Sequence, residues 1–255
     1  VVGRKTNTNL CITYIDGLAD PKLIAEIKRR IGYINVDMIL ESGYIEEYIE
    51  DRPFSIFATM GLTERPDVLA GKLLEGRVGI LIDGSPFALT APYFFIEAFQ
   101  NPEDYYARST YASIVRIFRY LAFFLSILVP GLYVALTSYH QELIPASLLF
   151  SMSASSEGVP FNSFTETALF LLIFELLKEA GIHMPKNVGQ TISIVGGLVM
   201  GEAAIQAGII GAPVVIIIAF TAVSSFVVPM LSNEVTMLRW IFLFLGGLLG
   251  LSLIH

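Results

Sequence analysis

The sequence predicts an α/β cytosolic module followed by an all-α multi-pass transmembrane helical bundle, on three observations. The chain is 54% hydrophobic and only 15% charged. Its mean hydropathy is +0.66, above the range of an ordinary soluble domain. Most charged residues precede Arg119, whereas the second half carries long uncharged runs. The composition changes near residue 110, so residues 1–110 are expected to form the soluble module and 111–255 the membrane module.

The first module alternates strands and helices. "NLCITYIDG" reads as a buried strand ending in a turn at Asp16-Gly17. A helix follows in "ADPKLIAEIKRRI", with Asp20 as N-cap, Pro21 at the first helical position, and Leu23, Ile24, Ile27 and Ile31 at helical spacing. Residues 37–49 predict a second helix, weakened by Gly43, and Pro66 to Leu74 a third. Val78 to Ile82 and Phe87 to Ala91 read as two strands joined by a turn at Asp83-Gly84.

That strand pair, "EGRVGILIDGSPFALTAP", has the look of a site and fails each catalytic template. It lacks the glycine and lysine spacing of a phosphate loop and the glycine spacing of a dinucleotide fold. "DGSP" is not a nucleophile elbow, and no histidine in this module could activate Ser85. The stretch is therefore expected to be a hairpin, with Asp83 a turn former, and the chain is expected not to be an enzyme. A net charge of −7 argues against nucleic-acid binding. The lone Cys11 allows no internal disulfide and agrees with a cytosolic face. No cluster has metal-ligand spacing, and no cofactor is expected. The opening "VVGRKTNTNL" has neither an initiating Met nor a signal-peptide pattern, so a fragment is expected.

Ahead of the apolar half, Pro102 starts a helix with Glu103 and Asp104 in its first turn. Tyr105, Tyr106, Arg108, Tyr111, Arg116 and Arg119 form an aromatic and basic collar, and Arg108, Arg116 and Arg119 are the expected anchors at the lipid interface. Five spans are expected, over about 117–139, 164–180, 188–210, 213–231 and 239–255. Pro130-Gly131 should kink the first. "LIPASLLFSM" is too short to span and reads as an outer loop or re-entrant piece. With five spans and the soluble module cytoplasmic, Lys178, Lys186 and Arg239 also fall on the inner side.

Polar groups inside the apolar half are the functional candidates, because hydrocarbon penalises them when unpaired. They are Glu166, Glu175, Gln190, Glu202 and Gln206. Glu175, Lys178 and Glu179 lie at helical neighbour spacing and read equally as the wet end of a helix. Glu202, flanked by apolar residues, either lines a polar pathway or bonds a neighbouring helix.

"VDMILESGYIEEYIED", "TERPDVLAGKLLEGRVGILIDGSPFAL", "NPEDYY", "EGVPF" and "ELLKEAGIHMPKNVGQTISIVGGLVMGEAAIQAG" together resemble the A subunit of GerA-type spore germination receptors, in collinear order over nearly the whole chain. The resemblance implies a multi-pass protein of the inner spore membrane whose sequence here is truncated at both ends. It also implies partners: a permease-like B subunit that binds the nutrient, a lipoprotein C subunit, and further copies of the A subunit in an ion-conducting ring that releases cations. In that setting "EGVPFNSFTETALFLLIFELLKEAG" is the candidate pore helix, with Thr165 and Glu166 at a cation-attracting mouth and Leu169, Leu172, Ile173 and Leu176 as an apolar gate. An ordinary packing helix remains open for the same residues. Two other functions also remain open: a secondary transporter, favoured by Gly/Pro-interrupted helices and Glu202, and a membrane-tethered enzyme.

Overall fold

The computed structural model describes residues 1–52, 55–184, 197 and 199–251. It divides into two compact units, Val1–Ala112 and Ser113–His255.

The first unit is built on a four-stranded antiparallel sheet of order β1-β3-β4-β2, from β1 (Leu10–Thr13), β2 (Gly61–Thr63), β3 (Val78–Ile82) and β4 (Ala88–Ala91). β3 and β4 form the expected hairpin, with Ile80 opposite Leu89, and β1 pairs with the outer side of β3, Cys11 opposite Leu81. Gly84 turns the hairpin at φ +85°, a left-handed conformation that favours glycine. Its neighbour Ser85 donates a hydrogen bond to the Glu41 carboxylate at 2.7 Å, a structural contact for the serine that looked like a nucleophile.

Three helices accompany the sheet. In α1 (Pro21–Tyr33), the Asp20 carboxylate accepts the Lys22 N–H at 2.9 Å, so the expected cap forms. Ile27 is buried in the core with Ile45, Val78, Ile80 and Leu89, and Leu23, Ile24 and Ile31 pack against that cluster. α2 (Ser42–Ile49) starts five residues later than residue 37, where the helix was expected. Backbone groups of the preceding residues are already taken. The Asp37 carbonyl accepts the Lys5 N–H at 2.7 Å, the Ile39 N–H donates to the Thr6 hydroxyl, and the Ile39 carbonyl accepts from Thr8. These contacts hold Ile39, 4% exposed, in the core. α3 (Pro66–Leu74) has the expected bounds and lies close to β3 at Gly79, where a Cβ would come within 2.8 Å of a Leu69 methyl.

A short α4 (Glu103–Tyr106) precedes α5 (Ser109–Tyr139). At 31 residues α5 is about 46 Å long, more than the hydrocarbon core of a bilayer at ~30 Å. The second unit continues with α6 (Ala146–Ser155), α7 (Ser163–His183), a helical stretch over residues 199–206 (α8), α9 (Ala212–Phe226) and α10 (Ser232–Leu249). Tyr133, Val134, Phe170, Leu171, Ile218 and Leu243, from α5, α7, α9 and α10, form its core. The stretch "LIPASLLFSM" holds α6, a short apolar helix.

Among the described residues, α5 alone is long and apolar enough to cross a membrane by itself. α7 carries Glu166, Glu175, Lys178 and Glu179 along its length. The segment expected to span residues 213–231 divides: α9 stops at Phe226, a 3-10 turn holds Pro229–Leu231, and the chain from Pro229 to Leu249 leaves at 109° to α9. Pro229 has no N–H to continue the α9 ladder, which accounts for the break. Most of the segment expected over 188–210 lies outside the described residues.

Candidate functional site

Glu175, Lys178 and Arg239 come together in one place, where α5, α7 and α10 meet. Its origin is Pro130, inside α5. A proline in a helix has no N–H to give the carbonyl four residues earlier, here that of Ser126. Arg239 of α10 supplies the missing donor, with Nε 2.8 Å from the Ser126 carbonyl oxygen. The Arg239 side chain is 0% exposed, and Nη1 makes a 2.7 Å ion pair with Glu175 Oε1 of α7. Lys178 Nζ lies 3.4 Å from the other Glu175 oxygen and donates to the Thr236 hydroxyl at 3.1 Å. Among the described residues, Arg239 Nη2 has no hydrogen-bond partner. A buried pair of this kind adds little net stability, but removing one partner costs about 3–5 kcal/mol because the other charge is stranded.

Glu166 makes a second polar tie. It is 3% exposed and accepts the backbone N–H of Gly211, at the head of α9. At about 100° per residue, Glu166 and Glu175 lie about 180° apart around α7. Each reaches a different neighbour: Glu166 the start of α9, Glu175 the cations. Thr167, Phe170 and Leu171 are buried on the inward side. Thr165, Leu169, Leu172 and Leu176 fall within about 60° of one another on the other side. Leu172 is 47% exposed, Leu176 61%, and Thr165 is exposed as well, with Leu169 and Ile173 half-buried.

The pore candidates thus separate. Thr165, Leu169, Leu172 and Leu176 share a face, Ile173 sits at its flank, and Glu166 turns away into the protein. Glu175 enters the buried cluster. Glu202 and Gln206 are both exposed and bonded to each other, the Gln206 amide donating at 3.2 Å. Gln190 lies outside the described residues. Of the collar, Arg108 is exposed, Arg116 half-buried and Arg119 buried at 9% exposure. Among the described residues no group of three or more His, Cys, Asp or Glu could hold a metal ion.

Arg239 was not among the expected site residues; its charge read as a marker of the inner side. It stands at the eighth position of α10, between buried Val235 and Leu243, not in a loop. The signal was a proline in one apolar run and an arginine in another, "LVPGL" and "MLRWIF", though nothing in the sequence says that they meet.

In the first unit, ion pairs fasten the chain ahead of α5. Glu97, 8% exposed, is paired with both Lys72 of α3 and Arg77. Asp67 of α3 accepts from the Tyr106 hydroxyl at 3.0 Å and pairs with Arg65 at 2.8 Å. Hydrogen bonds from Arg65, then from Tyr106, hold the Asp67 carboxyl down at about 2, and donating that hydrogen bond to the Asp67 carboxylate pushes the Tyr106 phenol up.

Comparison with known proteins gives the chain its relatives. Residues 1–254 match the family of Bacillus/Clostridium GerA spore germination proteins. Spore germination protein KA of Bacillus subtilis (strain 168) is 48% identical over 250 residues, 97% of this chain and 46% of that protein. Spore germination protein GerLA of Bacillus cereus is 43% identical over 96% of this chain and 50% of its own length. The uncharacterized membrane protein YfkQ of Bacillus subtilis (strain 168) is 46% identical over 98% of this chain and 49% of its own length. The crystal structure of the N-terminal domain of the A subunit of the Bacillus megaterium spore germinant receptor GerK3 is 51% identical, covering 37% of this chain and 75% of that one, with a TM-score of 0.29. The chain spans about half the length of the curated relatives it matches. With a family match over almost every residue, the chain belongs to the GerA family of spore germination proteins.

Proposed function

We propose that this chain is part of the A subunit of a nutrient-responsive germination receptor, forming with further copies of itself an ion channel that releases cations when germination begins. On this reading it is a multi-pass protein of the inner spore membrane, with its first unit cytoplasmic and no covalent chemistry of its own. It acts with a permease-like B subunit and a lipoprotein C subunit.

The observation that carries the reading is the two-sided character of α7. Thr165, Leu169, Leu172 and Leu176 form a narrow, mostly apolar face open to the outside of this chain, while Phe170 and Leu171 are buried behind it. Such a face, repeated around a ring, would make an apolar constriction that holds ions back by excluding water. Glu166 has no part in it, because its carboxylate is engaged with Gly211.

The test is single-channel recording of the purified full-length protein with its partner subunits in planar bilayers. Cation-selective openings are expected, and Leu172→Ala or Leu176→Ala should raise the open probability. A complex that passes no current would overturn the reading; coupled solute transport by a monomer would favour a transporter in its place.

A further inference from the structure

α7 is held on both flanks, and the two fastenings differ in kind. Glu166 accepts a backbone N–H, that of Gly211, so the donor of this bond is fixed by the main chain. Glu175 is held by side chains. Arg239 is its ion-pair partner on α10, Lys178, one turn further along α7 itself, reaches its other oxygen, and the Thr236 hydroxyl of α10 bonds Lys178 and lies 3.5 Å from Glu175. Arg239 is in turn fixed to α5 through the Ser126 carbonyl freed by Pro130. Opening the Glu175–Arg239 contact would therefore leave Arg239 bonded to α5, and Glu175 still neutralised by Lys178. Glu175 would keep a counter-charge while Arg239, 0% exposed, would lose its own, so the contact favours the closed state and opens only when something offsets that cost.

We propose that the Glu175–Arg239 pair is a latch that sets the rotation of α7 about its axis, with Lys178 as the standby partner of Glu175 when the latch is open. The inference deepens the channel reading and rests on it for its consequence. Closed, the latch keeps Leu172 and Leu176 on the outward face, where they restrain ions. Open, α7 turns about the Glu166 anchor and withdraws them. Glu175, Arg239 and Lys178 are positioning residues: they need not touch the permeating ion.

The test uses the full-length protein with its partner subunits in spores, in a Cys11→Ser background. It compares Glu175→Gln/Arg239→Met, which removes both members of the pair and leaves Lys178 bonded to Thr236, with Lys178→Met, which leaves the pair intact. Two readouts are taken: potassium release without nutrient, and the rate at which a membrane-impermeant thiol reagent labels an added Leu172→Cys. The double variant is expected to raise release about tenfold and to change labelling by a similar factor, while Lys178→Met alone leaves both near the parent. Unchanged labelling in the double variant, at parental abundance, overturns the latch. Changed labelling with unchanged release, in a receptor whose parent conducts, overturns its role in gating. If the parent passes no current in bilayers, the channel reading fails, and labelling alone still decides whether the pair sets α7. Should the double variant not accumulate, Arg239→Lys, which keeps the charge but loses the fork, carries both readouts and is expected to shift them in the same direction.

Discussion

Gly131 of α5 and Gly246 of α10 meet backbone to backbone. A Cβ at Gly131 would lie 2.6 Å from the Phe242 carbonyl oxygen, and one at Gly246 would lie 3.1 Å from the Gly131 Cα. No side chain stands between the helices at this crossing, so neither position has room for a methyl group. Gly131→Ala and Gly246→Ala are each expected to destabilise the full-length protein by about 1–3 kcal/mol. Gly71→Ala in α3, where nothing lies within 4 Å, should instead stabilise by up to about 1 kcal/mol. Thermal unfolding in detergent, with all three variants side by side, checks the contrast.

The two faces of α7 respond differently to truncation. Leu171, 0% exposed, is expected to cost about 2–5 kcal/mol on change to Ala. Leu176, 61% exposed, should change stability by no more than about 0.5 kcal/mol, even where it alters ion release. Equal losses at the two positions would show that the face is covered in the folded protein.

Pro130→Ala would normally stabilise a helix interior by about 3 kcal/mol. Here the gain is expected to be smaller. The restored N–H at residue 130 competes with Arg239 for the Ser126 carbonyl and loosens a bond made between helices. Comparing Pro130→Ala alone with Pro130→Ala in an Arg239→Met background measures that coupling directly.

Glu97→Gln strands Lys72 and weakens the hold on Arg77, which keeps only Glu75 as an ion-pair partner. The Lys72 and Arg77 side chains are 19% and 11% exposed; Lys72 loses its carboxylate and Arg77 one of two. A loss of about 3–5 kcal/mol is expected for the first unit. Lys72→Met should cost less, since Arg77 still neutralises Glu97. Urea unfolding followed through amide exchange in β3 and β4 separates the two variants.

Acid should loosen the first unit at two named points. The Glu26 carboxyl is held at about 2, by Arg29 first and then by Arg30, and Asp67 at about 2 by Arg65 and then Tyr106. Both lie below the unfolded carboxylate range of about 4, so the stabilisation they give is complete above that pH and is lost as pH falls toward 2. Protection of residues 103–106 against amide exchange should decline over that window. Asp67→Asn should flatten the decline there and leave the one at α1 intact.

Local chemistry made much of the first unit legible. Pro66 at a helix start, Val78 to Ile82 as an apolar run, and Asp83-Gly84 as a turn each declare their structure within a few residues, and each appears as expected. Residues 37–41 were misread because the groups that hold them straight, Thr6 and Thr8, lie some thirty positions away. The same limit hid the polar cluster. Glu175 was a visible oddity in an apolar helix, but its partner could be found only once α7 and α10 lay side by side. Glu166 looked like an open carboxylate for the same reason, since Gly211 closes it from 45 residues further on.

The Arg77 side chain has a consequence for the hairpin. Its guanidinium donates to the Pro92 carbonyl at 2.6 Å and stacks 4.9 Å from the Phe94 ring. β3 and β4 are thus joined covalently at one end, through residues 83–87, and clasped by an arginine at the other. A hairpin normally frays from its open end inward. This one is effectively a ring, and its strands should open all at once or not at all.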